Sequence, residues 1–196
     1  MVTTRPKIGI ILSTTRPQRF ADRAAQWLMS LAGERRDAEF EIVDLRDYPL
    51  PFFEETRSPM WGPPGNETAR RWGEAMARFD GYVFVTAEYN HGIPAVLKNA
   101  LDYAYAEFNR KPAAFVGYGG VGAARAVEQL RLVLAELQVA TLRHAVHIGG
   151  GEFVGMLLHG KDFADFPHLA ESTGPMFDEL VWWADALKAG RERQAA

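Results

Sequence analysis

The chain contains no cysteine. That absence excludes disulfides, thiolate zinc sites, iron–sulfur clusters and a thiol nucleophile. Long apolar runs are missing too: no stretch reaches the roughly 20 residues a membrane-crossing helix needs. Met1 to Lys7 holds no apolar segment able to serve as a signal peptide, so a cytoplasmic protein without membrane partners is expected. Neither sign of charge dominates. With 22 Lys and Arg against 25 Asp and Glu, the net charge is -3, and the pI is near 6.0. This is no electrostatic footprint for nucleic acid, nor the strongly acidic surface of a shuttle that docks by charge. No serine lies in a G-x-S-x-G elbow, which removes support for hydrolase chemistry. Internal repeats, low-complexity tracts and linkers are also missing, and residues 1–196 read as one domain. What is present is ordinary for a globular protein: 47% hydrophobic and 24% charged residues.

Apolar runs alternate with amphipathic stretches. Lys7–Leu12, Phe40–Asp44, Tyr82–Thr86, Pro112–Tyr118 and Thr141–Ile148 read as strands, the first nearly continuous in apolar residues, as for a strand buried on both faces. Helical spacing joins Phe20, Ala24, Trp27, Leu28 and Leu31, ending near Gly33, and then Ala69, Trp72, Met76 and Phe79 behind an Asn66 cap. It continues through Ile93, Val96, Leu97, Ala100, Leu101 and Ala104, with Pro94 suited to the first helical position. A fourth helix buries Ala123, Ala126, Val127, Leu130, Leu134 and Leu137, and a last runs from Ser172 to Lys188 with Pro175 near its start. Gly149-Gly150-Gly151 is expected to open an irregular stretch. Five strands alternating with five helices make a doubly wound parallel α/β sheet with helices on both faces, and the flavodoxin-like order 2-1-3-4-5 fits five strands. The loops after strands 1, 3 and 4 then converge on one edge, where such sheets bind ligands.

The first of these loops, Ser13-Thr14-Thr15-Arg16-Pro17-Gln18-Arg19, brings three hydroxyls and two guanidiniums to a helix start. Hydroxyls, backbone N–H groups and arginines together suit an anion; a solvated, capped turn is the alternative. This loop is neither a Walker A motif nor a G-x-G-x-x-G, so a phosphomonoester fits better than a nucleoside triphosphate or a Rossmann dinucleotide. Asp44 stands where a Rossmann ribose acid would, without the fingerprint after strand 1 that would give the position meaning. The second loop, Glu88-Tyr89-Asn90-His91, could hold a planar heterocycle or serve as a structural turn, and the lone His91 is open to either use. The third, Tyr118-Gly119-Gly120-Val121-Gly122, lets backbone approach a flat ligand, or serves a tight turn into the helix. His144 and His147, three apart on a strand, point to opposite faces and share no metal. The Trp182-Trp183 pair reads as packing or a subunit contact. Between Leu45 and Gly65 lies a long loop rich in proline, carrying Phe52, Phe53 and Trp61.

With the three loops assembled, the sequence resembles the NADPH-dependent FMN reductase family, the flavodoxin-like quinone, azo-dye and chromate reductases. The motifs are Ser13–Arg19 against the family's G-S-T-R-P-x-R, Glu88-Tyr89-Asn90 with Leu97-Lys98-Asn99-Ala100-Leu101-Asp102 against P-E-Y-N and L-K-N-A-L-D, and Tyr118–Arg125 against S/Y-G-G-x-G-G-x-R. Ser13 replaces the usual glycine and Ala87 the usual proline; the first either crowds the phosphate or adds a donor, the second loosens the turn. The resemblance implies FMN as cofactor and NADPH or NADH as co-substrate. It implies ping-pong two-electron transfer through FMN to a quinone, an azo compound or free flavin, with a non-catalytic FMN carrier or redox sensor as the alternative. A nucleotide-binding protein without flavin is a further rival. By the same resemblance Thr14, Thr15, Arg16 and Arg19, with Ser13 beside them, hold the phosphate. Glu88, Tyr89, Asn90 and His91 line the isoalloxazine, with Tyr118, Gly119 and Gly120 along its other edge; no protein side chain is assigned catalysis and no metal is expected. A homodimer or homotetramer across the helix after the second loop is also implied, with Tyr103, Tyr105 and Phe108 either partner contacts or core.

Overall fold

The computed structural model describes residues 4–195, so Met1–Thr3, the start of the N-terminal segment, and Ala196 lie outside the described residues. Strands β1 (Lys7–Leu12), β2 (Glu39–Asp44), β3 (Gly81–Ala87), β4 (Pro112–Tyr118) and β5 (Ala140–Ile148) form one sheet in the order β2-β1-β3-β4-β5. Every neighbouring pair runs parallel, which is the flavodoxin-like topology expected. β3, the central strand, and its neighbour β4 are buried at every position, which explains why their sequences do not alternate between apolar and polar.

Helices α1 (Ala21–Ala32), α2 (Glu67–Ala77), α3 (Ala95–Asp102), α4 (Ala124–Glu136), α5 (Gly150–Leu158) and α6 (Pro167–Ala195) cover the two faces. Ile8, Ile10, Val83 and Val85 pack with α1 and α6 on one side. Ile11, Tyr82 and Phe84 pack with α2, α3 and α4 on the other. Asn66 caps α2 by accepting from the Ala69 N–H at 3.0 Å. Trp72, fully buried one turn later, donates its indole N–H to the Ala100 carbonyl at 2.8 Å, tying α2 to α3. The proline-rich loop is also pinned to α3: Asn99 accepts from the Phe53 N–H at 2.9 Å and donates to the Pro51 carbonyl at 2.7 Å.

Three expectations need correction, and one open alternative is decided. The stretch after Gly149 is helical, not irregular, because α5 buries Met156 in the core shared with α1 and α6 and sets Gly155 close to Phe166. α6 begins at Pro167, ahead of Ser172, and carries Pro175 inside it; the buried Leu169 and Thr173 hold the extra turn in place. Pro94 is the residue before α3, and Val96 stands 38% exposed, so the α3 face is narrower than its spacing suggests. Tyr103 and Phe108 are core residues, 2% and 0% exposed, and so are not available to a partner; Tyr105 remains partly exposed.

At the sheet end opposite the converging loops, Lys111 is buried and donates to the carbonyls of Met76 (3.0 Å) and Ala77 (3.3 Å) and to the Tyr82 hydroxyl (3.1 Å). A cation at the C-terminus of α2 is favoured by the helix dipole, yet burial, helped by Arg191, lowers its pKa to about 8. The unfolded lysine keeps its ordinary value, so between about pH 8 and 10 the unfolded chain binds more protons and stability rises with pH. Lys111→Met is expected to remove that rise, which amounts to about 2–3 kcal/mol. Urea unfolding at pH 7.5 and pH 10 checks it; equal pH dependence in both proteins would refute the assignment.

Candidate functional site

The loop after β1 leaves the sheet as a continuation of the strand, the Ser13 N–H donating to the Val85 carbonyl at 3.1 Å. Ser13 and Thr14 are buried, 0% and 1% exposed. The Thr14 hydroxyl sits 2.9 Å from the Tyr89 hydroxyl, which joins the first and second loops. Arg19 turns inward as well: its side chain is 1% exposed and lies between Asp22 and Asp44. Burial opposes its charge, but the hydrogen bonds it donates to Asp44 and Asp22 outweigh burial and raise its pKa. Thr15, Arg16, Pro17 and Gln18 are the exposed members of the loop. Among the described residues the Arg16 guanidinium has no hydrogen-bond or ion-pair partner; it lies 5.7 Å from the Tyr89 ring centroid, a cation–π distance.

The second loop is a tight turn. Tyr89 and Gly92 exchange N–H···O bonds of 3.0 and 3.1 Å, and Asn90 and His91 take positive φ of 50° and 72°. Two left-handed central residues are the signature of a type I′ turn. Ala87 therefore does not loosen the turn, since the Tyr89–Gly92 pair closes it. Asn90 and His91 stand exposed at its tip. Glu88 points the other way, with its side chain 6% exposed and paired with Arg125. It accepts from the backbone N–H groups of Arg125 (3.1 Å) and Ala126 (3.3 Å), supplying a cap to α4 that Ala123 cannot. Burial would raise the Glu88 pKa; the Arg125 guanidinium and these two amides bring it below its ordinary value.

The third loop and the end of β4 carry a pattern that sequence reading passed over: Gly117-Tyr118-Gly119-Gly120-Val121-Gly122 has G-x-G-x-x-G spacing. The glycines serve packing. A Cβ on Gly117 would lie 2.4 Å from the Gly122 carbonyl oxygen, and one on Gly122, whose φ is +61°, 2.8 Å from the His147 Cβ. The α4 amides that a pyrophosphate would need are already bonded to Glu88. At Gly119 (φ +135°) and Gly120, by contrast, a Cβ would meet nothing within 4 Å, so this backbone faces open space.

Together the loops enclose a cleft of about 310 Å³ lined by Arg16–Phe20, Ala87–Tyr89, Tyr118–Gly120, Phe153 and Leu157. Of the residues expected at the site, Arg16, Arg19, Glu88, Tyr89, Tyr118, Gly119 and Gly120 line it. Ser13 and Thr14 are buried and do not line it, and Thr15 lines a second cleft of about 340 Å³ with Arg46, Tyr48 and Asn99. Phe153 and Leu157 were missed; their i, i+4 spacing after three glycines was the available signal. The cleft suits a flat ligand with an anionic arm. Its walls include the rings of Phe20, Tyr118 and Phe153, with Phe20 5.2 Å from each of the other two, and Arg16 supplies an unpaired cation. The Tyr118 hydroxyl is the buried side-chain polar atom left without a partner among the described residues; burial, then the nearby Tyr89, pushes its pKa far above the usual phenol range. No group of three or more His, Cys, Asp or Glu that could hold a metal occurs among the described residues. His144 bonds Glu179 of α6 and His147 the Gly122 carbonyl, on opposite faces of the sheet.

A parallel sheet in flavodoxin-like order, with a polar loop after β1 and an open glycine backbone after β4, makes this a doubly wound α/β protein with a cleft at the C-terminal edge of its sheet. The family model of NADPH-dependent FMN reductases matches residues 6–152, and the chain belongs to that family. An NAD(P)H-dependent FMN reductase of Schizosaccharomyces pombe is 39% identical over 136 residues, 68% of each chain. A quinone reductase of Pseudomonas putida is 29% identical over 184 residues, 89% of this chain and 90% of its own. The solved structure of FerB, a flavoenzyme NAD(P)H:(acceptor) oxidoreductase from Paracoccus denitrificans, has a TM-score of 0.68 at 22% identity, covering 92% of this chain and 98% of that one. At that identity the likeness concerns the fold alone.

Proposed function

We propose that this chain is an FMN-dependent oxidoreductase that draws two electrons from NAD(P)H and delivers them to a small acceptor: a quinone, an azo compound or free flavin. The observation that carries the reading is the convergence of the three loops on one aromatic-walled cleft with one unpaired guanidinium, Arg16. Family membership supplies the cofactor, and the quinone reductase of Pseudomonas putida supports a quinone acceptor. When bound, FMN supplies the redox chemistry by taking up and releasing two electrons.

The protein's part is to bind and orient. Thr15 and Arg16 hold the phosphate by a backbone N–H and a charge-assisted bond. Glu88 keeps the second and third loops at a fixed spacing through Arg125 and the α4 amides. Gly119 and Gly120 let backbone approach the ring system, and the Tyr118 ring forms part of the wall beside it. Asn90 and His91, at the exposed turn, contact the co-substrate or acceptor. No helix among the described residues is long and apolar enough to cross a membrane. A cytoplasmic protein with ready access to NAD(P)H fits this chemistry, as does a homodimer or homotetramer in which the exposed Phe52 and Trp61 are covered. Adding NADPH to the purified holoprotein under nitrogen is expected to bleach its visible absorption, with colour returning when a quinone follows. An oxidised spectrum that persists would overturn the reductase reading and leave a carrier or sensor.

A further inference from the structure

We propose that Arg19 is a positioning residue: it makes no contact with the phosphate but fixes the peptide that does, by clamping the Thr14 carbonyl against Asp22 and Asp44. This rests on the phosphate assignment above and departs from it only in the role of Arg19. A guanidinium carries five N–H groups, and all five are engaged. Nε and one Nη2 hydrogen go to Asp22 Oδ1, at 2.9 and 2.7 Å; one Nη1 hydrogen goes to Asp44 Oδ1 at 2.8 Å. The remaining two reach the Thr14 carbonyl and Asp44 Oδ2. None is left for a ligand.

Charge argues the same way. Asp44 also accepts from the Arg46 N–H at 2.9 Å, and the Arg46 guanidinium lies 3.8 Å from Asp22 and bonds the Arg16 carbonyl. Two arginines against two aspartates leave the cluster neutral, so it offers an incoming phosphate no excess positive charge. What the cluster does offer is orientation. In a trans peptide the C=O and the N–H point in opposite directions, and no cis peptide occurs here. Arg19 draws the Thr14 carbonyl inward, which turns the Thr15 N–H outward, and no acceptor takes it among the described residues. Arg46 likewise holds back the Arg16 carbonyl. The loop therefore presents N–H and guanidinium to an anion, with its carbonyl oxygens held away. Lysine cannot replace Arg19, because a point charge cannot span three acceptors in the plane of the guanidinium fork.

The test combines FMN and riboflavin titrations by fluorescence quenching with amide hydrogen exchange of the cofactor-free protein. The proteins are wild type, Arg19→Lys, Asp44→Asn and the double variant. Expected is a loss of FMN affinity of at least about tenfold in each single variant, with the double variant no weaker than the worse single. Exchange across residues 13–18 should rise in all three. If Arg19 instead bound phosphate, removing the competing Asp44 charge would leave FMN affinity unchanged or higher, and that result overturns the proposal. So do effects that multiply in the double variant. Asp22→Asn, at the exposed end of the fork, should act in the same direction more weakly, and it decides the matter if Asp44→Asn does not fold; unchanged affinity and exchange there count against the clamp. Wild-type protein that fails to quench FMN would overturn the cofactor reading, while the exchange data would still judge the clamp.

Discussion

Replacing Arg16 by alanine is expected to weaken FMN binding by about 10- to 100-fold and riboflavin by less than about threefold, the range for losing a hydrogen bond to a charged group. Arg16 is the cation at the cleft that carries no carboxylate partner among the described residues, unlike Arg19, Arg46 and Arg125. It is therefore available to a phosphate dianion without first breaking an internal pair. The loss should fall on the phosphate and spare the ring system, because the aromatic walls and the Gly119–Gly120 backbone are untouched. Parallel fluorescence titrations with FMN and riboflavin measure both. Equal losses for the two flavins would show that Arg16 acts on the ring, through Tyr89, and that the phosphate lies elsewhere.

Gly117→Ala is expected to destabilise the protein by about 3 kcal/mol or more, at the upper end for overpacking, and to lower flavin affinity with it. The new Cβ would sit 2.4 Å from the Gly122 carbonyl oxygen and 3.0 Å from the Ala123 Cβ. Backbone, unlike the end of a flexible side chain, cannot swing aside. The third loop would have to move, and with it the start of α4 that Glu88 caps. Denaturant unfolding provides the measure; stability within about 0.5 kcal/mol of wild type, the scatter of ordinary surface changes, would mean that the loop is far more pliant than its packing implies. Gly120→Ala is the internal control, since its added methyl meets open space.

The two glycines show where sequence reading stops. Gly117 and Gly120 lie three apart, and the text of the chain treats them alike. Only the approach of Gly122 to β4 separates a glycine needed for packing from one that leaves room for a ligand. Arg16 and Arg19 show the same limit. As residue types, both suit phosphate, and the family motif contains both. Asp44, which claims Arg19, is 25 residues away at the end of β2, and its nearness follows from β1 and β2 lying side by side. Glu88 and Arg125, 37 residues apart, meet because β3 and β4 are adjacent. Tyr103 and Phe108 could not be told from interface aromatics until Phe53 of the proline-rich loop was seen against Tyr103 and Trp72 of α2 against Phe108.

Sequence by itself determined the alternation of buried strands and amphipathic helices, hence a doubly wound parallel sheet, and the three loops at its C-terminal edge. These are local properties: periodicity, run length, and the glycines, prolines and caps that end each element. The motifs within the loops also sufficed to indicate the FMN reductase family. Tertiary structure alone decided which polar groups face a ligand and which face each other. That outcome depends on distances between segments far apart in the chain, because a buried carboxylate or guanidinium must find its partner wherever the sheet order places one.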